Sequence, residues 1–298
     1  AMEDLNFTPS SAARSLVSKK MNTIGIWGTE TSGEINRRTL REMEDELKEF
    51  EIHLIFADGE LNSKRNPNAS RDSFDSLINK GCDGIIIWGS DLPPREILQI
   101  ENEFPNIVLL NNQIELIDDK CFYFDHYQAG YVCGQHLIDK GHSNIACITG
   151  WLETYDGIQR HQGFLDALNT NNVNMPEELI FEGDYTYRKG YEGALSLLKQ
   201  DQPFTALFCG NDQSAMSAIS AITNNGLQVP NDISVMGYDD MNIARYTSPP
   251  LTTVRIPFNK MAISATRRLL NLCYDLELDI NYDFPVQLVE RQSVKNIG

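Results

Sequence analysis

From Thr23 onward the chain alternates short, uninterrupted apolar runs with longer segments in which apolar residues recur every three or four positions. Thr23–Trp27, Ile52–Ala57, Gly84–Trp88 and Asn106–Leu110 are runs of the first kind. A run with no polar face predicts a strand buried on both sides. Between these runs, residues 35–50 carry Ile35, Leu40, Met43, Leu47 and Phe50 along one helical stripe. Residues 68–79 read as helix stopped by Gly81, and another helix opens at Pro93-Pro94, since proline is tolerated in a first turn. The rhythm then continues: helix 127–140 ended by Gly141, strand 145–149, helix 158–171, strand 179–182, helix 188–200, strand 206–209, helix 212–224 and strand 233–238. A helix over 258–276 and a strand over 284–290 close the chain.

This alternation predicts an α/β protein with parallel sheets covered by helices. There are too many strand–helix units for one comfortable sheet, and the order repeats on either side of about residue 125, so two doubly wound lobes are expected. The helix over 258–276 has no obvious sheet in the second lobe, and the chain is expected to cross back between the two. Open α/β sheets bind ligands beyond the carboxyl ends of their strands. Two such lobes predict a hinge and an interlobe cleft that closes on a small molecule.

The polar residues following the strands are therefore the candidates. Asn211-Asp212 follow Ala206–Gly210, Asp239-Asp240 follow Ser234–Tyr238, Asn111-Asn112 follow the fourth run, and Asp125 follows Phe122–Phe124. Trp88 ends the third run, Arg160 stands near a helix start, and Tyr185 and Tyr187 follow the strand at 179–182. Amide, carboxylate and guanidinium groups beside an aromatic wall suit a polyhydroxylated ligand, because Asp and Asn bond vicinal hydroxyls and a ring face covers a sugar's C–H patch. Each residue also has a plainer reading. An Asp or Asn opening a helix caps it, an arginine there pairs with a neighbouring carboxylate, and Trp88 fills a core.

Composition narrows the function. The chain has no phosphate loop of the G-x-x-x-x-G-K-[ST] type, no G-x-G-x-x-G after the first strand and no G-x-S-x-G elbow, so an enzyme and a nucleotide cofactor are not expected. His53, His126, His136, His142 and His161 form no metal-ligand spacing, and no metal is expected. Asp239 and Asp240 are adjacent on a strand end and should point apart, unlike the facing carboxylates of a glycosidase. Six scattered cysteines without a C-x-x-C pair read as buried thiols of a reducing cytoplasm. No apolar run approaches the roughly 18 residues of a membrane span, and no export signal is visible. A net charge of −17 repels phosphate backbones. Only residues 1–20 are not acidic, with Arg14, Lys19 and Lys20 against Glu3 and Asp4. The order Ala1-Met2-Glu3 is the order tag removal leaves, and the chain is expected to start part-way into a longer protein.

Several of these segments resemble the lactose/galactose repressor family of bacterial transcription regulators. The tail is similar to that family's hinge through Leu5, Phe7, Pro9, Ala13, Arg14, Leu16, Ile24 and Gly25. Further matches are Gly81-Cys-Asp-Gly-Ile-Ile-Ile87, Asp125-His-Tyr-Gln-Ala-Gly130, His136 through Ala146, Arg160-His-Gln-Gly-Phe164, Asn211-Asp212, Val229 through Asp240 and Pro250-Leu-Thr-Thr-Val254. They run in order over residues 5–293. The resemblance implies a type I periplasmic-binding-protein-like core with a hinge segment at 1–21, one lobe of 22–124 plus 256–285 and another of 125–255 plus 286–298. It implies ligand contacts by Arg160, Asn211, Asp239 and Tyr185, with Trp88, Asn112, Asp125 and Glu30 at further cleft positions. It also implies a homodimer whose paired hinge helices present Ala13 and Leu16 to operator DNA, Leu16 wedging into the minor groove. The DNA-reading head would lie upstream, and effector-driven lobe movement would control it. The resemblance allows a sugar, a phosphosugar or a purine as effector; one arginine without an Arg/Lys cluster, and Glu30 and Glu34 after the first strand, disfavour a phosphorylated ligand, and a neutral hexose or hexoside, such as a galactoside, is expected. The alternative is a sugar-binding receptor of a transport system, which shares the fold but predicts a secretion signal and a monomer.

Overall fold

The computed structural model describes residues 20–28, 33–59, 67–89 and 92–298, with Pro67–Ser70 as backbone only. The chain packs into two units: Ala1–Tyr123 with Phe258–Asp283, and Phe124–Pro257 with Phe284–Gly298.

In the first unit, β1 (Thr23–Gly28), β2 (His53–Asp58), β3 (Gly84–Trp88), β4 (Ile107–Leu110) and β5 (Cys121–Phe122) form one sheet in the order β2-β1-β3-β4-β5. All its pairings are parallel, with Ile24 against Leu54 and Gly84, and Ile86 against Val108. Every residue of β1, β3 and β4 is buried, which is why these strands are continuous apolar runs. The edge strand β2 exposes both its ends. Its neighbours are α1 (Glu34–Lys48), α2 (Pro67–Asn79) and α3 (Pro94–Glu103), the last opened by Pro93 and Pro94. The late helix α8 (Phe258–Tyr274) belongs here too, packing on α1, β3 and β4. Its buried stripe of Met261, Ala265, Leu269 and Cys273 therefore serves the first sheet, and the expected crossing of the chain is present.

In the second unit, β6 (Ile145–Ile148), β7 (Ile180–Phe181), β8 (Ala206–Cys209) and β9 (Ser234–Met236) form a parallel sheet in the order β7-β6-β8-β9. A separate antiparallel pair joins β10 (Thr253–Arg255) to β11 (Gln287–Val289). The helices are α4 (His126–Asp139), α5 (Tyr155–Thr170), α6 (Tyr187–Leu197) and α7 (Asp212–Asn224). Helices α4 and α5 touch backbone to backbone: a Cβ on Gly130 would lie 2.0 Å from the Arg160 carbonyl oxygen, and one on Gly163 1.9 Å from that of Tyr127. Only glycine permits this approach, and it sets Arg160 against the sheet. Phe164 stacks on Phe208 of β8 at 4.4 Å between ring centroids. The strand predicted over 233–238 is shorter than expected because Gly237 and Asp239 donate instead to the carbonyls of Thr252, just before β10, and Val254, within it.

All six cysteines are free and buried. Among the described residues no helix is long and apolar enough to cross a membrane, and no group of three His, Cys, Asp or Glu could hold a metal ion.

Candidate functional site

The carboxyl ends of β6, β7, β8 and β9 bring together residues far apart in sequence, all within the second unit. At the centre is Arg160, in the second turn of α5 and 7% exposed. This helix starts at Tyr155, three residues before the predicted start at 158, because Thr154 caps it by accepting from the Gly157 amide. Asp156 consequently lies one turn ahead of Arg160, and its Oδ2 receives the Arg160 Nη2 at 3.1 Å. The Arg160 Nη1 donates to the Gly210 carbonyl after β8. The guanidinium lies 3.8 Å from the Tyr238 ring centroid and 5.2 Å from that of Tyr185. Its Nε is buried with no hydrogen-bond partner among the described residues. Burial works against ionisation of Asp156, but the Arg160 charge and the hydroxyls of Thr154 and Tyr185 hold its pKa below the ordinary value.

Tyr185 adopts a left-handed φ of +67°. Its carbonyl accepts from the Asn211 Nδ2 at 2.9 Å, and its hydroxyl donates to Asp156 Oδ2 at 3.3 Å. Its ring covers Gly150, where a Cβ would fall 1.8 Å from the Tyr185 Cζ. Trp151 meets the same ring edge-on, centroids 5.9 Å apart. Asn211 is doubly engaged, since its Oδ1 also caps α7 by accepting from the Ser214 amide at 2.9 Å. Both readings of Asn211 thus concern one side chain that caps a helix and holds the backbone of Tyr185.

Asp239 and Asp240 part, as adjacent strand-end residues should. Both have positive φ, +113° and +52°. Asp240, 8% exposed, accepts from Arg255 Nε at 2.7 Å and Arg291 Nη2 at 2.5 Å. The half-buried Asp239 carboxylate has no hydrogen bond or ion pair among the described residues. Burial pushes its pKa well above the usual carboxylate range, with the Arg160 charge opposing. Behind this turn, the wholly buried Asp212 accepts from Thr253 Oγ1 at 2.6 Å and from the Met241 amide at 2.7 Å. Burial pushes its carboxyl up to about 7.

His126 opens α4 and is 2% exposed, 4.0 Å from Phe124 between ring centroids and 3.4 Å from the Tyr238 hydroxyl through Nδ1. Burial pushes its pKa down to about 3, so the ring is a neutral hydrogen-bonding group. Asp125 is exposed and caps α4 through the Gln128 amide at 2.7 Å. Trp88 and Asn112 stand in the first unit: Trp88 is buried at the end of β3, and the Asn112 Oδ1 accepts from the Gln113 amide at 2.8 Å. Glu30, Ala13 and Leu16 lie outside the described residues.

The fold thus gathers Arg160, Tyr185, Asn211 and Asp239. Asp156, Trp151 and Tyr238 were not singled out from the sequence. Asp156 carried a signal, a carboxylate four residues before Arg160 on one helix face. The result is a walled cluster of one guanidinium and two carboxylates, lined by Trp151, Tyr185 and Tyr238.

A family model described as a periplasmic binding protein-like domain matches residues 135–294. The chain is similar to the HTH-type transcriptional repressor PurR of Photorhabdus laumondii, 34% identical over 297 residues that make up 99% of this chain and 86% of that protein. Among solved structures it is similar to a LacI-family transcriptional regulator from Burkhoderia phymatum, with a TM-score of 0.85, 32% identity, and coverage of 92% of this chain and 99% of that one. It also matches a Lac repressor dimer bound to operator and the anti-inducer ONPF, with a TM-score of 0.85, 25% identity, and coverage of 99% and 88%.

Proposed function

This chain belongs to the LacI family of transcriptional regulators and is the effector-binding core of a repressor; we propose that its effector is a neutral, hydroxyl-rich molecule of the sugar class, a galactoside being the first to try. The observation that carries this reading is the charge balance around Arg160. Its positive charge is already matched by Asp156, and the half-buried carboxyl group of Asp239 stands nearby. A phosphorylated ligand would meet no surplus cation there, whereas neutral hydroxyls can bond the unpartnered Asp239 oxygens and the Arg160 Nε. Trp151 and Tyr185 supply ring surface for the C–H patches of a pyranose. In the first unit the proposed contacts are Trp88 and Asn112, at the carboxyl ends of β3 and β4.

Thermal-shift measurements with galactosides and other neutral sugars, phosphosugars and purine bases test the reading. A ligand at 100 times its Kd adds about 2.7 kcal/mol of stability. A shift with a neutral sugar that Asp239→Asn and Arg160→Ala abolish is expected. A shift with phosphosugars or purine bases alone would overturn the sugar assignment. In the same reading the chain acts as a homodimer and is not an enzyme, so the bound sugar is recovered unchanged. Operator binding needs sequence preceding the sheet, including Ala13 and Leu16. Sedimentation equilibrium tests the dimer, and tight salt-tolerant operator binding by this chain alone would contradict the last point.

A further inference from the structure

Where the chain enters the first sheet, three donors from two distant segments converge on one carboxylate. Asp83, the residue before β3, accepts from the Met21 amide at 3.0 Å through Oδ1 and 3.1 Å through Oδ2. Its Oδ2 also accepts from the Thr23 amide at 3.2 Å and from the Tyr274 hydroxyl, in the last turn of α8, at 2.7 Å. Lys20 extends the same junction. Its Nζ donates to the Cys273 carbonyl at 2.5 Å and lies 5.7 Å from the Tyr274 ring centroid. The Met21 side chain covers Gly81, where a Cβ would be 3.0 Å from its Cγ. Pairing of β1 with its neighbours needs none of these bonds, because the sheet ladder begins at Thr23. The backbone of Asp83 already joins that ladder through its amide, which donates to the Thr23 carbonyl at 2.7 Å.

We propose that Asp83 is a positioning residue, a latch that fixes the chain preceding β1 against the last turn of α8, so that movement of the first unit passes without slack to the segment before Lys20. This goes beyond effector binding and does not depend on which effector is bound. A carboxylate is suited to the task because it accepts several donors at once and charge-assisted bonds to it are stronger than neutral ones. Trypsin must lift Lys20 off Tyr274 and Cys273 to cut the following peptide bond, so the cutting rate reports how often the junction opens.

The test combines cleavage after Lys20 with hydrogen exchange at the Met21 and Thr23 amides. In Asp83→Ala both should accelerate at least about tenfold, since all the charge-assisted bonds to the carboxylate are lost together. Exchange at Ile85, Ile86 and Ile87 in β3 should stay at the wild-type rate. Asp83→Asn keeps one acceptor oxygen and should give a smaller acceleration. If Asp83→Ala does not fold, Tyr274→Phe removes a single donor and should accelerate cleavage by roughly two- to threefold. Wild-type cleavage in a folded Asp83→Ala or in Tyr274→Phe would overturn the latch. So would acceleration shared equally with the β3 amides, since that describes general loosening of the sheet.

Discussion

Asp240 offers a sharp test of how the turn after β9 is built. Its side chain is 2% exposed and joins Arg255 next to one crossing of the chain and Arg291 after β11. Substitution by alanine removes both bonds. Arg255 is 49% exposed and regains water, so its share is at most about 1 kcal/mol. Arg291 is 13% exposed and would be left as a mostly buried charge, a loss of about 2 kcal/mol. Alanine also tolerates the φ of +52° less well than aspartate, which adds about 1 kcal/mol. Asp240→Ala should therefore lower stability by about 3–4 kcal/mol, in the range for breaking a buried pair. Urea denaturation at pH 7 of Asp240→Ala, Arg291→Ala and the double variant measures this, with an expected coupling of about 1.5 kcal/mol or more. The pH dependence has a definite sign. Burial tends to raise the Asp240 pKa, but the Arg291 and Arg255 bonds outweigh it and leave the pKa lowered. The contribution is thus complete above the unfolded value of about 4 and is lost as the pH falls through the lower folded value. Wild type and variant should converge in acid. A cost below about 1 kcal/mol at pH 7, or a gap that does not narrow in acid, would refute the clamp.

Three further outcomes follow from the same geometry. Gly150→Ala must expel the Tyr185 ring, because the new Cβ would fall 1.8 Å from Cζ, so isothermal titration with whichever neutral sugar shifts the wild type should show at least a tenfold weaker Kd. Asp156→Ala leaves Arg160 buried without its carboxylate and should cost about 3 kcal/mol in urea denaturation, with Asp156→Asn losing less. Asp212, whose carboxyl is raised to about 7 by burial, gives stability that is complete below the unfolded pKa of about 4 and lost as the pH rises through about 7. Melting temperature should accordingly fall from pH 5 to pH 8 in the wild type and fall less in Asp212→Asn, while parallel slopes would contradict it.

Much of the fold was legible because the strands that matter are buried on both faces and therefore carry no polar position. The third strand is found over the predicted 84–88 for this reason. Periodicity was weaker at helix starts. The helix α5 was expected from Ile158, but the Thr154 cap sets its first turn earlier, and that offset hid Asp156 as the partner of Arg160. The strand at 233–238 was overextended because its last residues leave the sheet to pair beside β10, a choice made by a segment more than a dozen residues away. Arg160, Asn211 and Asp239 were identifiable as strand-end or helix-start polar groups, yet nothing local separated a side chain already engaged from one still open.

That separation is where the structure adds most. Asp239 and Asp240 are neighbours of identical chemistry, and the arrival of Arg255 and Arg291, 15 and 51 residues along the chain, engages Asp240 alone. Asp212 is engaged in the same way by Thr253, 41 residues away. Each of these engagements rests on a long-range pairing that period and propensity do not encode. Among the described residues the Asp239 oxygens and the Arg160 Nε stay unmatched beside the rings of Tyr185 and Trp151, as does the Ser214 Oγ in the first turn after β8. An unsatisfied buried donor is costly, so a fold that retains one beside an open carboxylate is more stable once a ligand supplies the missing hydroxyls. If the proposed effector bonds these leftover groups, Asp239→Asn should weaken its binding far more than it alters the stability of the free protein.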